Sequence, residues 1–319
     1  MPETLTITLQ LGEPVEHRGI AVAPLFPLSD PVCPYLTMED ALPLGFRVTE
    51  RDATGSVPEL LVANPTGHRV LLYDGEELAG AKQDRILNVS VLVAERSETV
   101  VPVSCVEAGR WSARGEAFDP APHTGHPALR RSKAEALAER PLEPYAAQSA
   151  SWAAVRAKEE RVGRHSPTSA HADLFRARAA SLSELEAAFP LQPGQCGAAL
   201  AFGGRAVCLD ALSRPGAFAR LYPRLLRGYL MDGLDEADGA RSGADALPGF
   251  LAALEAAPAT RGPSPGLGRD VRLAGAGLIG SALEVDGETV QVCAFAGEAP
   301  GAGDPGRIAR PSRRGMRPR

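Results

Sequence analysis

Between Tyr73 and Asn88 the chain reads YDGEELAGAKQDRILN, which sets Glu76, Glu77, Lys82, Gln83, Asp84 and Arg85 around Gly75 and Gly80, directly after an apolar run. Carboxylates can accept hydrogen bonds or act as general bases, a guanidinium offers a fixed fork of donors, and a side-chain amide both gives and accepts. Such a set can orient a polar ligand such as a ribose or phosphate, or it can be a hairpin end laced by surface ion pairs. Gly75 and Gly80 invite comparison with the phosphate-cradling GxxxxGK[ST] loop, and the comparison fails. Ala81 takes the lysine slot, Lys82 comes one residue late, no Ser or Thr follows, and Glu76 and Glu77 would put negative charge in an anion nest.

A second concentration follows in VSCVEAGRW. Val101, Val103 and Cys105 share one face of an expected strand, with Glu107, Arg110 and Trp111 at its end. Cys105 reads either as a small core residue or as a nucleophile served by a distant histidine, His68 being the nearest in sequence. His123 and His126 form an HxxH in the loop APHTGHP, and His165 and His171 flank a later loop, RHSPTS. Neither pair has a cysteine beside it, so no metal centre is expected. Nothing resembles a nucleophile elbow or a GxGxxG fingerprint, and no cofactor is expected.

The elements that must carry these residues change in character along the chain. Up to about residue 118 short β-branched runs (TLTITLQL, GIAVAPLF, GFRVTE, ELLVAN, RVLLYDG, RILNVSVLVAE, TVVPVSCVE) alternate with turn residues, and TMEDAL opens like a capped short helix at Thr37. Without crossover helices between most of them, mostly antiparallel pairing is expected, with RVLLY running back as RILNVSVLVAE and the charged residues at the turn. From Pro120 to Pro190 alanine-rich segments predict helices, the last of them SAHADLFRARAASLSELEAAF with Leu174, Leu182, Leu185 and Phe189 facing inward. GAALAFGGRAVCLDAL and GSALEVDGETVQVCAF predict hairpins turning at Gly203-Gly204 and Asp286-Gly287. Between them Phe218, Leu221, Tyr222, Leu225, Leu226, Tyr229 and Leu230 form the strongest helical stripe, with Pro223 inside it, where it should kink the helix or mark its true first turn. The expected fold is α+β: an antiparallel-rich sheet with the helical middle segment packed on it and late hairpins, in a single domain over residues 1–298.

The 319 residues carry a net charge of -5 with 44% hydrophobic content, enough for a sizeable core, and no apolar run approaches a membrane span. Residues 301–319 hold six arginines and one aspartate, which leaves 28 basic against 38 acidic side chains, or -10, on the rest. Residues 299–319 therefore read as a disordered Arg-rich tail on an acidic body that should repel nucleic acid. Five cysteines without a CxxC pair argue against disulfides and zinc-thiolate sites and fit a reducing cytoplasm.

DGEELAGAKQDRILN and VPVSCVEAGRW, with SWAAVRAKEERVG, SPTSA, LYPRLLRGYLMDGL and the closing hairpin, resemble the ARG and rhodanese-phosphatase-superfamily-associated protein domain family over about residues 5–296. The first two motifs are the specific ones. The resemblance implies a place near NAD and ADP-ribose metabolism, with ADP-ribosylglycohydrolases and rhodanese-phosphatase proteins as neighbours in bacterial genomes. It maps the family pattern onto Gly75, Glu76, Gly80, Gln83, Arg85, Asn88, Cys105, Glu107, Gly109, Arg110 and Trp111. The chain departs from that pattern at Gln291, where a histidine is common, and at Asp84, where asparagine is.

Three readings follow. In the first, a nucleotide or ADP-ribose-like ligand is bound or processed: Arg85 and Arg110 meet phosphates, Gln83 and Asn88 fix a ribose or base, Trp111 stacks on the base, Glu76 is general base or ribose acceptor, Asp84 is a second catalytic candidate, and Lys82 and Glu107 are further ligand-binding residues. In the second the protein is a non-catalytic partner of a neighbouring enzyme. In the third Cys105 is a nucleophile.

Overall fold

The computed structural model describes residues 4–52, 55–112, 115–140, 143, 145–163, 166–236, 241–275 and 277–297. The Arg-rich tail and His165 lie outside the described residues. Strands β1 (Leu9–Leu11), β2 (Val15–His17), β3 (Ile20–Pro27) and β4 (Leu36–Thr37) precede helix α1 (Met38–Ala41). Strands β5 (Arg47–Glu50), β6 (Glu59–Asn64), β7 (Val70–Leu72), β8 (Glu76–Gly80), β9 (Arg85–Leu87), β10 (Val91–Val93), β11 (Ser97–Cys105) and β12 (Phe118–Thr124) follow. Helices α2 (Pro127–Glu139), α3 (Ala146–Val162), α4 (His171–Ala177) and α5 (Ala179–Glu186) come next. The chain closes with β13 (Gly197–Phe202), β14 (Arg205–Leu212), α6 (Pro215–Glu236), α7 (Leu247–Glu255), β15 (Ala259–Pro263), β16 (Arg269–Gly275), β17 (Leu278–Val285) and β18 (Glu288–Ala296). The fold is α+β with antiparallel-rich sheets.

Both late hairpins join the first strands of the chain in a nine-stranded sheet, in the order β1-β3-β13-β14-β18-β17-β16-β15 with β2 also on β3. Alternation along β3 explains how that sheet is covered twice: Ile20 and Val22 face the core shared with α6, while Ala21, Ala23 and Leu25 face the core shared with α7. The two tight turns form as their residues predict. Gly203 and Gly204 have φ of 61° and 74°, and Asp286 and Gly287 have φ of 52° and 84°, the left-handed pair a two-residue hairpin needs.

The seven residues of the α6 stripe are all buried, each worth about 1.5–3 kcal/mol by removal from water. Pro223 falls inside this helix, which begins at Pro215, and does not mark its first turn. At Gly228 α6 lies tight against the end of β12: a Cβ there would come 2.5 Å from Thr124 Oγ1 and 3.2 Å from the Gly125 carbonyl. In an exposed helix Gly→Ala stabilises; here Gly228→Ala should lower the urea midpoint by about 1–3 kcal/mol of stability. A raised midpoint would contradict this packing.

The N-terminal part holds two further sheets, β12-β8-β9-β11-β6-β5 and β10-β7-β4, around a core of Phe46, Val62, Leu72, Leu78, Leu87 and Val103. Thr37 caps α1 as expected, its hydroxyl accepting from the Asp40 amide at 3.3 Å. RILNVSVLVAE does not form one strand. Asn88 and Ser90 divert the chain: the Asn88 amide donates to the Pro102 carbonyl, and Ser90 Oγ accepts from the Asp74 amide. Val91–Val93 alone returns along Val70–Leu72, while β8 and β9 form an inner hairpin in the other sheet. Two further expectations shift: Phe118–Thr124, which overlaps the expected loop APHTGHP, is a strand, and the expected helix SAHADLFRARAASLSELEAAF breaks at Arg178 into α4 and α5.

Candidate functional site

The β8–β9 hairpin carries the charged stretch inward, so Glu76, Glu77, Gln83, Asp84, Arg85 and Asn88 are all buried. It is not a turn of surface ion pairs. Arg110 is its hub: Nε donates to Glu107 at 2.7 Å, Nη2 donates to Asp84 at 3.0 Å, and Nη1 donates to the carbonyls of Ala81 and Ser112. That guanidinium is fully engaged in tying β8–β9 to the end of β11, so it does not await a phosphate. Gln83 is engaged too, donating to the Glu107 carbonyl at 3.0 Å and accepting from Arg85 Nη1 at 3.0 Å. Glu107 closes the frame by accepting from the Asp84 amide. Burial raises the Asp84 carboxyl above its ordinary value, helped by Glu77 and Glu107 and opposed by Arg110.

Arg85 is different. Its side chain is completely buried, yet among the described residues Nε and Nη2 find no hydrogen-bond partner, and the Glu50 carboxylate stands 3.8 Å from Nη2. Burial lowers its pKa, the expected response of a cation whose hydration is poorly replaced. Trp111 lies over it, with the ring centroid 5.8 Å from Cζ and 5.4 Å from Lys82 Nζ, and is 50% exposed.

The remaining expected residues have structural tasks. Glu76 accepts from Arg224 at 2.6 Å and from the Tyr73 amide at 2.7 Å, which removes it as a free general base. Asn88 Oδ1 accepts from Ser104 Oγ at 2.8 Å. Cys105 is fully buried, and burial pushes its thiol above the ordinary value against the pull of Arg85. His68 is exposed, its carbonyl accepting from Asn64. A thiol held protonated lacks the first requirement of a nucleophile, which counts against the cysteine reading. Gln291 is buried, and among the described residues neither amide atom is hydrogen-bonded.

What residue spacing did not reveal is a histidine cluster on the other side of the same hairpin. His123 lies in strand β12 and not in a loop, while His126 stands in the short link to α2 as that helix's N-cap. The bridge between Glu107 and Ala170, with the His171 amide donating to the Val106 carbonyl at 2.9 Å, seats the start of α4 beside β8. Glu77 Oε2 then stands 2.6 Å from His171 Nδ1 and 3.2 Å from His123 Nε2, and His171 Nε2 lies 2.8 Å from His126 Nδ1. Phe175, one turn along α4, stacks on His123 at 3.7 Å. All four polar residues are buried. Burial alone would raise the Glu77 carboxyl, but the His123 and His171 rings hold it well below the usual carboxylate range. Burial lowers the His126 pKa to about 3, and lowers that of His123 despite Glu77. One carboxylate and two imidazoles, with ligand atoms within 4.8 Å of one another, are a donor set able to hold a metal ion.

The first charged motif therefore forms the inner β8–β9 hairpin, the second ties it to the end of β11, and Arg85 lies on one face of that hairpin with Glu77 and the histidines on the other. A family model matches residues 8–295 of the chain. The protein belongs to the ARG and Rhodanese-Phosphatase-superfamily-associated Protein domain family. No curated protein and no solved structure matches it. The family's name records association with ARG and rhodanese-phosphatase proteins, which is compatible with a role beside a partner. None of the described helices is long and apolar enough to cross a membrane.

Proposed function

We propose that this family member binds a phosphorylated ribose ligand of the ADP-ribose type at the face where Trp111 covers Arg85, as part of NAD or ADP-ribose metabolism. The observation that carries the reading is the buried Arg85 guanidinium with two donor nitrogens unused. A buried charge with unmade hydrogen bonds is costly, and a phosphate oxygen would take Nε and Nη2 together. The half-exposed Trp111 ring is suited to stack on a base, and Lys82 adds a second cation at the same ring. Arg110, Gln83, Asn88 and Glu76 keep the platform rigid and do not touch the ligand.

Thermal unfolding with ADP-ribose, NAD or AMP near millimolar concentration tests the reading. A ligand at about a hundred times its dissociation constant adds roughly 2.7 kcal/mol, a rise of a few degrees. Arg85→Ala should abolish the shift while leaving the unliganded protein folded. The absence of any shift in the wild type would refute it.

A second reading, a non-catalytic partner of a neighbouring enzyme, draws on the internal engagement of Arg110, Gln83 and Glu76 and on the association recorded in the family's name. It predicts no nucleotide shift, together with co-purification of the partner that is lost in a Trp111→Ala variant.

A further inference from the structure

We infer that Glu77, His123 and His171 form a binding site for one divalent first-row transition ion, with His126 as the outer residue that fixes the His171 ring. Three observations converge. The first is geometric. Glu77 Oε2 already stands 2.6 Å and 3.2 Å from the two ring nitrogens. Ligand atoms bound at about 2.0–2.2 Å in a tetrahedral or octahedral shell lie roughly 2.8–3.6 Å apart, so the two Glu77–histidine spacings are already near those of coordination, and the two ring nitrogens lie within 4.8 Å of each other.

The second is unmet polarity. Glu77 Oε1, His123 Nδ1 and His123 Nε2 are buried without hydrogen bonds, and a carboxylate oxygen left so in a protein interior calls for a cation or a donor. The third is the His126 contact. A metal-ligating histidine characteristically donates its second N–H to a neighbouring acceptor, which sets its tautomer. His171 meets Glu77 through Nδ1 and His126 through Nε2, so with Nδ1 on the metal its Nε2–H donates to His126 Nδ1 across 2.8 Å. Two imidazoles and one carboxylate suit zinc or iron(II) and leave further positions for water or substrate. The inference stands apart from the nucleotide reading, because none of its three ligands belongs to the Arg85 face.

The test uses the full chain without an affinity tag. Protein stripped with a chelator is titrated with Zn²⁺ and, separately, with Co²⁺, followed by bound-metal analysis and visible absorption. The expected result is about one ion per chain, a raised unfolding temperature, and Co²⁺ bands of a nitrogen and oxygen ligand field. Glu77→Gln and His171→Ala should abolish stoichiometric uptake, and His126→Asn should weaken it by about 10- to 100-fold. Circular dichroism checks the fold of each variant. Should a ligand variant fail to fold, uptake by the stripped wild type decides the matter. Folded wild type that takes up neither ion would overturn the inference, leaving Glu77–His171–His126 a structural hydrogen-bond chain. Uptake unchanged in folded Glu77→Gln would overturn it as well.

Discussion

Asp210→Ala is expected to cost about 3–5 kcal/mol of folding stability, a large part of the roughly 5–15 kcal/mol that holds a native domain. Asp210, on β14, is completely buried. It receives Arg130 through both guanidinium arms at 3.0 Å and 2.7 Å, together with the hydroxyls of Tyr73 and, at 2.5 Å, Tyr229. Arg130 is in turn held between the rings of Tyr73 and Phe295, with centroids 5.3 Å and 5.0 Å from Cζ. These partners come from the end of β7, from α2, α6 and β18, so one carboxylate gathers elements from both ends of the chain. Removing it leaves the two phenols without their acceptor and the buried guanidinium with only the Tyr73 hydroxyl, 3.3 Å from Nη2, among the described residues. Urea unfolding should show the loss as a lower midpoint at an unchanged slope. Asp210→Asn, which keeps the shape and some of the hydrogen bonds, should lose less. An Asp210→Ala midpoint equal to that of the wild type would mean that the network contributes nothing.

Lys133→Met should be comparably damaging, also by about 3–5 kcal/mol. The Lys133 ammonium is fully buried against the Asp74 carboxylate and the Leu87 carbonyl. Burial lowers its pKa, opposed by Asp74. Without it Asp74 keeps, among the described residues, the Ser281 hydroxyl at 3.4 Å and the Cys293 thiol at 3.7 Å beside its side chain, too little to hold a buried anion. The second substitution identifies the cause. If Lys133→Met acts by stranding a charge, adding Asp74→Asn should recover part of the loss, with a coupling of about 0.5–3 kcal/mol in the double-mutant cycle. Strict additivity of the two variants would show that the damage is to packing and not to charge balance.

Neither network is legible in the sequence. Asp210 sits in AVCLDAL, where alternation marks it only as one polar residue in an apolar run, and its partners are supplied by residues 73, 130 and 229. Local chemistry was readable wherever it is self-contained. Thr37 caps its own helix, Gly203-Gly204 and Asp286-Gly287 turn their own hairpins, and the α6 stripe repeats at the helical period. The charged motif was readable as a concentration of polar residues but not in its roles. Nothing within YDGEELAGAKQDRILN says that Glu76 turns toward Arg224 and its neighbour Glu77 toward His171, residues 148 and 94 positions away. Arg110 looks like a phosphate ligand in sequence and proves to be a clamp because its acceptors are carbonyls and carboxylates at the ends of other strands. The histidine cluster escaped notice for the same reason. HxxH suggests a loop pair, whereas one of its histidines lies within a strand, the other stands in the short link at the N-cap position of α2, and the third partner opens α4.

The central claim, that a nucleotide-like ligand sits where Trp111 covers Arg85, is tested most directly by tryptophan fluorescence. The chain has two tryptophans, Trp111 and Trp152, so Trp152→Phe leaves Trp111 as the sole reporter. Titration with ADP-ribose should change its emission along a saturable curve, and Arg85→Ala in the same background should remove the change. Emission that stays constant up to millimolar ADP-ribose, NAD and AMP in the folded Trp152→Phe protein would contradict the account.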